Sequence, residues 1–239
     1  MFSNIKLIAF DLDGTLTQHK TPLSYKHAEI LNMLSKKYKL LMVGAGKCHR
    51  IFTQMNNFPI DIIGNYGMQE AIYDSEKDDI MIIVNNVVPC DKTSVEKRIT
   101  ELRQKYGFTN FTGDSVEYHS SGCITFPILG TKAAPDAKLA FDPDRKKRRK
   151  IYDDVKATFS EYNVFVGGSS SFDMSPMPYN KYYALDKYCK EHNILHSETV
   201  YVGDDYGQGG NDESVYLSDF NYLTIDNYED FSEVVKDLL

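Results

Sequence analysis

The hydrophobic pattern of the first quarter of the chain alternates between strand-like runs and one-sided helical spacing. In chain order it predicts a strand at 5–10, a helix whose apolar face carries Leu23, His27, Ile30, Leu31 and Leu34, a strand at 39–43, a helix at 50–55 and a strand at 60–63. Ser24 is the expected N-cap of the first helix. This order is typical of a parallel sheet with helices on both faces.

The middle of the chain has a different pattern, and the first pattern returns near the end. Strand-like runs lie at 80–88, 116–118, 123–126 and 164–166, with helices predicted at 94–106 and 144–159. A helix at 181–192, strands at 199–202 and 222–225, and a closing helix from Tyr228 capped by Asn227 follow. We therefore predict a doubly wound α/β core made from 1–82 and 179–239, with an inserted, mostly antiparallel α+β cap at 83–178.

Acidic residues follow the first predicted strand. Its apolar residues run directly into Asp11 and Asp13, and Gly14 and Thr15 come next. Ligands of open parallel sheets collect at the carboxyl ends of the strands. Gly14 permits a turn that brings both carboxylates over one pocket, and Thr15 adds backbone and hydroxyl donors. One carboxylate could then attack a substrate while the other carries a proton.

A second apolar strand also ends in acids, at Asp204 and Asp205. In a doubly wound sheet this strand can lie beside the first, so that Asp204 faces Asp11. Two carboxylates, a backbone carbonyl and waters would suit Mg²⁺, which prefers oxygen ligands in octahedral geometry. A charged, glycine-containing turn is the simpler interpretation of either cluster alone. Two strand-end acid clusters in one chain favour the metal site.

Two weaker signals are compatible with phosphate chemistry. Lys181 begins a predicted helix, where the helix dipole slightly disfavours a cation unless it neutralises phosphate and carboxylates. The small residues Gly44, Ala45 and Gly46 lie between a strand and a helix, and could let backbone N–H groups approach an anion. A solvated lysine and a tight turn are the alternatives. Together with the acids, these residues suggest phosphoryl transfer through an aspartyl phosphate.

Composition narrows the class of protein. The net charge of −7 disfavours nucleic-acid binding over the whole surface, and no apolar run reaches the length of a membrane span. The cysteines lack metal-site or disulfide spacing, which indicates reduced thiols of a cytoplasmic protein. They are Cys48, Cys90, Cys123 and Cys189. We interpret the basic run from Arg145 to Lys150 as a solvated helix face; a patch for a phosphorylated or nucleic-acid partner is the alternative.

The motifs resemble those of the haloacid dehalogenase-like (HAD) superfamily. The chain is most similar to its branch with a large inserted α/β cap, and within that branch to eukaryotic-type phosphomannomutases over nearly the full length. The matching stretches are FDLDGTLT, VGAG, GGSSSFDMSPMPYNK and VGDDYGQGGND.

The resemblance implies a role for each matching residue. Asp11 would be the nucleophile and Asp13 the general acid/base. Mg²⁺ would bind the carboxylates of Asp11 and Asp204 and the carbonyl of Asp13. Lys181 would orient the transferring phosphoryl group. Thr15, Asn211 and Asp212 would support the site, with Asn211 and Asp212 positioning the metal and the lysine; Gly44, Ala45 and Gly46 would bind phosphate, and Ser171 and Asp173 would meet sugar hydroxyls.

The chain departs from the mutase pattern where that family grips a second phosphate with arginines. The matching positions carry Lys20, His119, Thr131 and Lys138. Lysine offers a point charge in place of the planar guanidinium, and threonine offers no charge. The loop Gly44 to Gly46 lacks the hydroxyl that most of the superfamily has there, but so do phosphomannomutases, so this is not a departure from the mutase pattern. We therefore expect a weaker grip on a bisphosphate; Lys20 and Lys138 remain candidate phosphate ligands.

These observations favour a Mg²⁺-dependent phosphatase that hydrolyses a small phosphorylated metabolite, with sugar phosphates as the favoured class. The alternative is a phosphomannomutase that interconverts mannose 6-phosphate and mannose 1-phosphate. A third interpretation is a binding module without catalysis. It is disfavoured because all four charged motif residues are retained, namely Asp11, Asp13, Lys181 and Asp204. Phosphomannomutases often pair through their caps, so the resemblance also implies a homodimer through the insertion. No membrane or nucleic-acid partner is expected.

Overall fold

A computed structural model describes residues 4–239, which divide into two compact units. The first comprises the chain up to 86 together with 180–207 and 212–239; the second comprises 87–179 and 208–211. The division predicted at 82/83 would fall inside a strand that spans Asp79–Asn85. The sequence-based domain limits stay a prediction, with the first junction best placed after that strand.

The elements are as follows. The strands are β1 Leu7–Phe10, β2 Lys39–Val43, β3 Asp61–Gly64, β4 Gln69–Asp74, β5 Asp79–Asn85, β6 Glu117–Tyr118, β7 Ile124–Pro127, β8 Tyr162–Phe165, β9 Ser171–Pro176, β10 Thr199–Gly203 and β11 Asn221–Thr224. The helices are α1 Tyr25–Leu34, α2 Cys48–Gln54, α3 Lys92–Tyr106, α4 Pro135–Phe141, α5 Lys146–Arg149, α6 Tyr152–Thr158, α7 Lys181–Glu191, α8 Glu213–Tyr216 and α9 Phe231–Val234. Among residues 4–239, no helix combines the length and apolarity that a membrane span requires.

The first unit contains the doubly wound sheet that the sequence predicts. Its strand order is β11-β10-β1-β2-β3-β4-β5, and the five strands from β11 to β3 are parallel. The sheet is nevertheless mixed, because β4 and β5 add antiparallel to its edge. β4 has no counterpart among the elements predicted from the sequence, and the run at 80–88 is predicted to lie in the middle segment. Ile80 and Ile82 pack against the core of this sheet, which places β5 in the first unit.

Side-chain alternation along the central strands produces two cores, one on each face of the sheet. In β1, Ile8 and Phe10 join a cluster with α1, α2 and α9, whereas Leu7 and Ala9 join a cluster with α7 and α8. All four residues are completely buried. A strand covered on both faces must be apolar throughout, which explains its uninterrupted run of apolar residues. The polar groups of this strand can appear only where it ends.

The helix signals of the first unit are confirmed at both ends of the chain. Ser24 caps α1, with its hydroxyl accepting a hydrogen bond from the His27 N–H at 3.2 Å. Asn227 caps the closing segment by accepting from the Glu229 N–H at 3.1 Å. That segment begins as a 3₁₀ turn at 228–230 before α9. Side-chain oxygens satisfy the free N–H groups of a first turn, so these local signals can be seen in sequence.

The second unit is an antiparallel sheet of order β6-β7-β9-β8 with its own apolar core. Helices α3 and α6 contribute Val95, Ile99 and Val155 to that core. β9 and α4 have no counterpart among the elements predicted from the sequence. The single helix predicted at 144–159 is two short helices, α5 and α6, interrupted at 150–151. The predicted antiparallel α+β character of the insertion is confirmed.

The basic run at 145–150 is not a uniformly solvated helix face, so that prediction is wrong in part. Lys146 is exposed, but Arg148 is only 1% exposed. Its Nε lies 2.8 Å from Asp142 Oδ2, and its Nη1 donates to the carbonyl oxygens of Gly167 and Ser171. A buried guanidinium needs such partners, and here it ties α5 to the segment leading into β9.

Candidate active site

The sheet register brings together the two acidic strand ends. β1 and β10 are parallel neighbours with Phe10 opposite Val202, and the Asp11 N–H donates to the Val202 carbonyl at 3.0 Å. Carboxylate oxygens of Asp11, Asp204 and Asp212 lie within 4.8 Å of one another. The expected proximity of Asp11 and Asp204 is therefore what the structure has, and Asp212 adds a third carboxylate.

Lys181 places a buried cation in this acidic cluster. It is the first residue of α7 and is completely buried. Its Nζ lies 2.6 Å from Asp11 Oδ1 and 2.7 Å from Asp212 Oδ1. Asn180 begins the helix by accepting a hydrogen bond from the Tyr183 N–H at 2.7 Å. A buried ammonium is stable only when it is paired, so Lys181 and the two carboxylates depend on one another.

Asp212 is anchored through both of its carboxylate oxygens. Besides Lys181, the Tyr201 hydroxyl donates to Oδ1 at 2.6 Å, and the Asp205 N–H donates to Oδ2 at 3.0 Å. Asp212 thus supports the lysine from the first unit, whereas Asn211, predicted to act with it, belongs to the second unit. Sequence reasoning missed Tyr201, because its place in an apolar strand carries no sign of the hydroxyl's partner.

Gly14 and Thr15 shape the approach of Asp204 to the first strand end. Gly14 has a φ of +97°, and a Cβ at this position would overlap the Asp204 carboxylate. Glycine is therefore required for backbone conformation and for space. The Thr15 hydroxyl donates to Asp204 Oδ1 at 3.1 Å. The Gly-Thr pair after the acids holds the second acid close to the first.

The cluster carries more negative than positive charge. Burial raises the pKa of Asp11 well above its usual value, and burial together with Asp212 raises the pKa of Asp204 to about 6. Burial alone would lower the pKa of Lys181, but Asp11 and Asp212 outweigh it and raise that pKa. With all three carboxylates ionised, one ammonium would leave two negative charges uncompensated. An all-oxygen cluster with this charge fits a hard divalent cation.

The Asp13 carboxylate lies apart from the Asp11–Asp204–Asp212 group. Its Oδ1 accepts hydrogen bonds from the Gln54 side-chain amide at 2.6 Å and the Lys20 N–H at 2.8 Å, and Arg50 Nη1 lies 3.4 Å from Oδ2. Burial raises its pKa, but the donors of Lys20, Gln54 and Arg50 outweigh burial and lower it overall. Asp13 is therefore held as a carboxylate. Sequence reasoning missed Gln54 and Arg50, which share one face of α2.

The glycine loop offers fewer donors than predicted. The Gly44 N–H is already bonded to the Ile63 carbonyl at 2.9 Å, so Gly44 cannot donate to an anion there. Within residues 4–239, the N–H groups of Ala45 and Gly46 donate to no acceptor. The Cys48 N–H is taken by the Gln69 side chain at 3.0 Å. Of the three loop residues, Ala45 and Gly46 therefore keep N–H groups that have no acceptor within residues 4–239.

Candidate substrate residues of the second unit form a polar group of their own. Asp173 Oδ1 accepts from the Thr125 hydroxyl at 3.0 Å, and the Ser171 hydroxyl lies 3.5 Å away. His119 Nε2 lies 3.1 Å from the same Thr125 hydroxyl. Burial raises the pKa of Asp173. Ser171 and Asp173, predicted together, are neighbours, and His119 reaches the same group.

The lysines at mutase-like positions belong to different units, Lys138 to the second and Lys20 to the first. Lys138 Nζ donates to the Thr131 carbonyl at 3.0 Å, and the Thr131 hydroxyl accepts from the Asp114 N–H at 2.8 Å. In the first unit, Lys20 is exposed, and its backbone rather than its side chain contacts Asp13. Lys138, on α4, is thus paired with Thr131 in the segment that precedes this helix.

Comparison with known proteins identifies the family of this chain. A sequence profile of the eukaryotic phosphomannomutase family matches residues 95–239, more than half of the chain. The chain belongs to the eukaryotic phosphomannomutase family. Phosphomannomutase from Solanum lycopersicum is 25% identical, over 88% of this chain and 84% of the relative. The phosphomannomutase of Encephalitozoon cuniculi is also 25% identical, over 94% and 90%.

Solved structures of other proteins share the fold of this family member. Truncated, IMP-bound Plasmodium falciparum IMP-nucleotidase superposes with a TM-score of 0.70 at 15% identity, covering 98% of this chain and 68% of the other. The HAD-superfamily phosphatase BT1666 of Bacteroides thetaiotaomicron superposes with a TM-score of 0.61 at 15% identity, covering 98% and 95%. Family and fold together support a HAD-type phosphotransferase.

The anchoring of Asp212 by Tyr201 predicts a stability difference between two neighbouring tyrosines. The Tyr222 hydroxyl is buried but has no hydrogen-bond partner among residues 4–239. We expect Tyr201→Phe to lower the free energy of unfolding by about 1.5–3 kcal/mol, the usual value of a hydrogen bond to a charged group. Tyr222→Phe, the matched control, should be close to neutral. Urea denaturation measures both, and equal losses in the two variants would contradict the anchoring role.

Proposed function

We propose that this protein is a Mg²⁺-dependent phosphatase that hydrolyses a small phosphorylated metabolite, with sugar phosphates favoured, through an aspartyl phosphate on Asp11. The observation that carries the proposal is the pairing of Asp11 with the buried ammonium of Lys181, beside Asp204 and Asp212. Covalent transfer needs a nucleophile held against a group that stabilises the charge of the phosphoryl oxygens. Asp11 and Lys181 meet both needs.

The first step transfers the phosphoryl group to the protein. An oxygen of Asp11 forms a bond to phosphorus, and the bond from phosphorus to the leaving oxygen breaks. Lys181 Nζ, 2.6 Å from Asp11, balances charge on the phosphoryl oxygens. Asp13 gives its proton to the leaving alcohol. Because the surrounding donors stabilise the Asp13 carboxylate, its acid form requires that carboxyl group to leave Gln54 and Arg50.

The second step returns the protein to its starting state. Asp13, ionised after the first step, takes a proton from water as the water oxygen bonds to phosphorus. The bond between phosphorus and Asp11 breaks, and inorganic phosphate is released. Lys181 and Asp212 hold Asp11 in one orientation through both steps. The same aspartate thus serves as acid and then as base.

The acidic cluster is the proposed site for Mg²⁺. Asp11 and Asp204 would hold it through their carboxylates and Asp13 through its carbonyl; when bound, the ion neutralises phosphoryl charge. Both carboxylate oxygens of Asp212 already accept hydrogen bonds: Oδ1 from Lys181 and Tyr201, and Oδ2 from the Asp205 N–H. We therefore assign Asp212 to anchoring Lys181 rather than to binding the metal.

The effect of removing single carboxylates on Mg²⁺ binding should distinguish metal ligands from nearby acids that do not bind the metal. We expect Asp204→Asn to weaken Mg²⁺ binding at least about tenfold, the lower end of losses seen even for outer-sphere partners of a metal. Asp205→Asn, the control, removes the same charge one residue away, outside the cluster. Calorimetric titration of the metal-free protein with Mg²⁺ measures both. Full activity in excess EDTA, or unchanged binding by Asp204→Asn, would contradict the site.

A phosphomannomutase activity is the second candidate, because family membership favours it. Both reactions share the first step and differ in what takes the phosphoryl group from Asp11. In the mutase reaction the phosphoryl group passes from Asp11 back to a sugar hydroxyl. The bisphosphate intermediate must then turn around in the site while its second phosphate is held. The mutase-like arginine positions carry His119 and Thr131 here, and Lys138 is directed at the Thr131 carbonyl. The loss of guanidinium groups favours hydrolysis. Pairing through the second unit stays a prediction for either activity.

An activator titration distinguishes the two reactions. With mannose 1-phosphate and a hexose 1,6-bisphosphate, we expect phosphate release to exceed mutase flux at every activator concentration. Lys138→Ala and the control Lys132→Ala should respond alike to the activator. Mutase flux above phosphate release would overturn the choice of phosphatase. A roughly tenfold weaker activator response in Lys138→Ala alone would then identify that lysine as a distal phosphate ligand.

A further inference from the structure

We infer that Thr125 is a positioning residue: it fixes the hydrogen-bond polarity of His119, which then offers an acceptor to a hydroxyl group of the substrate. The inference rests on the proposed function and narrows its substrate class to a phosphate monoester that carries a free hydroxyl and no second phosphate. All the residues involved belong to the second unit.

The sheet of the second unit has an apolar face and a polar face, because side chains alternate along each strand. Four residues of β7 and β9 enter the apolar core of this unit: Ile124, Phe126, Phe172 and Met174. Thr125 and Asp173 lie between them on the opposite face, and they are direct partners across the two strands. Directly opposed side chains of neighbouring strands are close enough to interact. The register therefore brings the Thr125 hydroxyl to the Asp173 carboxylate.

A chain of two hydrogen bonds runs from Asp173 to His119. The Thr125 hydroxyl donates to Asp173 Oδ1 at 3.0 Å, and His119 Nε2 lies 3.1 Å from the same hydroxyl. A carboxylate can only accept hydrogen bonds, and a hydroxyl has a single hydrogen to donate. Because the hydrogen of Thr125 is directed at Asp173, its oxygen accepts from His119. The hydrogen of the neutral His119 ring must therefore be on Nε2.

The surroundings of Asp173 support its role as the acceptor at the start of this chain. A Cβ at Gly167 would overlap Asp173 Oδ2, so this oxygen lies against the backbone. Burial raises the pKa of Asp173, while the hydrogen bond from Thr125 and the charge of Arg148 act against burial. These two groups stabilise the carboxylate, which is the form that the Thr125 hydroxyl needs as its acceptor.

His119 is the exposed end of the chain. Within residues 4–239, its Nδ1 takes part in no hydrogen bond. When Nε2 of a neutral imidazole carries the hydrogen, Nδ1 is an acceptor. A sugar hydroxyl can donate to it, whereas an ionised phosphate offers only acceptor oxygens and is repelled by the Asp173 carboxylate. Arginine, which the mutase pattern has at this position, is a donor only, so histidine reverses what the substrate must offer.

The hydrogen-bond polarity is measured first, on the protein without substrate. The tautomer of His119 is assigned by ¹⁵N NMR at about pH 8.5, above the range in which histidines usually change charge. We expect a single tautomer with the hydrogen on Nε2 in wild type and in Thr125→Ser, and a mixture in Thr125→Val. His49, an exposed histidine of α2 in the first unit, is the control and should be a mixture in all three proteins. A hydrogen on Nδ1 of wild-type His119, or a mixture like that of His49, overturns the inference.

The substrate class is tested by comparing mannose 1-phosphate with p-nitrophenyl phosphate, which has no sugar hydroxyl. The quantity is the ratio of kcat/KM for the first substrate to kcat/KM for the second. We expect Thr125→Val and His119→Phe each to lower this ratio about fivefold to tenfold, the loss expected from one hydrogen bond. Thr125→Ser, which keeps the hydroxyl, should match wild type. Because both residues act through one chain, the double variant should lose no more than either single variant.

The outcomes separate this inference from the proposed function. Equal losses on both substrates in Thr125→Val, or a ratio in Thr125→Ser as low as in Thr125→Val, overturn the inference and leave the proposed function intact. Hydrolysis of p-nitrophenyl phosphate but not of mannose 1-phosphate by wild type does the same. If wild type releases phosphate from neither substrate, the proposed function is overturned, and the substrate class inferred from it falls as well.

Discussion

The buried ammonium of Lys181 between Asp11 and Asp212 is the interaction on which the rest of the site depends. The three residues come from the end of β1, the start of α7 and the segment before α8, and both lysine contacts are 2.7 Å or shorter. Removing one partner from a buried ion pair typically costs about 3–5 kcal/mol, because the remaining charge is left without compensation. The stability of the folded sheet therefore depends on an intact cluster, and the cluster depends on the fold that brings its residues together.

The central sheet explains why this cluster has a fixed place. Its neighbouring strands β1 and β10 are buried along their whole length, so their charged groups are confined to the strand ends, and parallel strands put those ends at one edge. Because Gly14 has no Cβ, the Asp204 carboxylate can lie where a side chain at position 14 would be. With all three carboxylates ionised the cluster would keep a net negative charge, and this charge is the reason for proposing it as the Mg²⁺ site.

Sequence reasoning could locate the parts of the site that follow from strand ends. Asp11 and Asp204 follow long apolar runs, and parallel pairing makes them neighbours. It could not find Tyr201, whose hydroxyl reaches Asp212 only because of its face in β10. Nor could it show that Asp13 turns toward Gln54. The sequence does not predict β4, and it places the run that contains β5 in the middle segment. The reason is that these two strands form an antiparallel edge hairpin whose half-exposed pattern does not indicate which sheet it joins.

In the proposed mechanism Asp11 is a covalent carrier of the phosphoryl group, whether water or a sugar hydroxyl accepts that group afterwards. The most direct test is acid quenching during turnover of a phosphorylated substrate, followed by mass spectrometry of the peptide that contains Asp11. We predict one added phosphoryl group on Asp11 in wild type. Asp11→Asn should carry none and should lose activity about a thousandfold or more, as expected when a nucleophile is removed. Turnover without a phosphorylated Asp11, or substantial activity in Asp11→Asn, would contradict covalent catalysis at this residue.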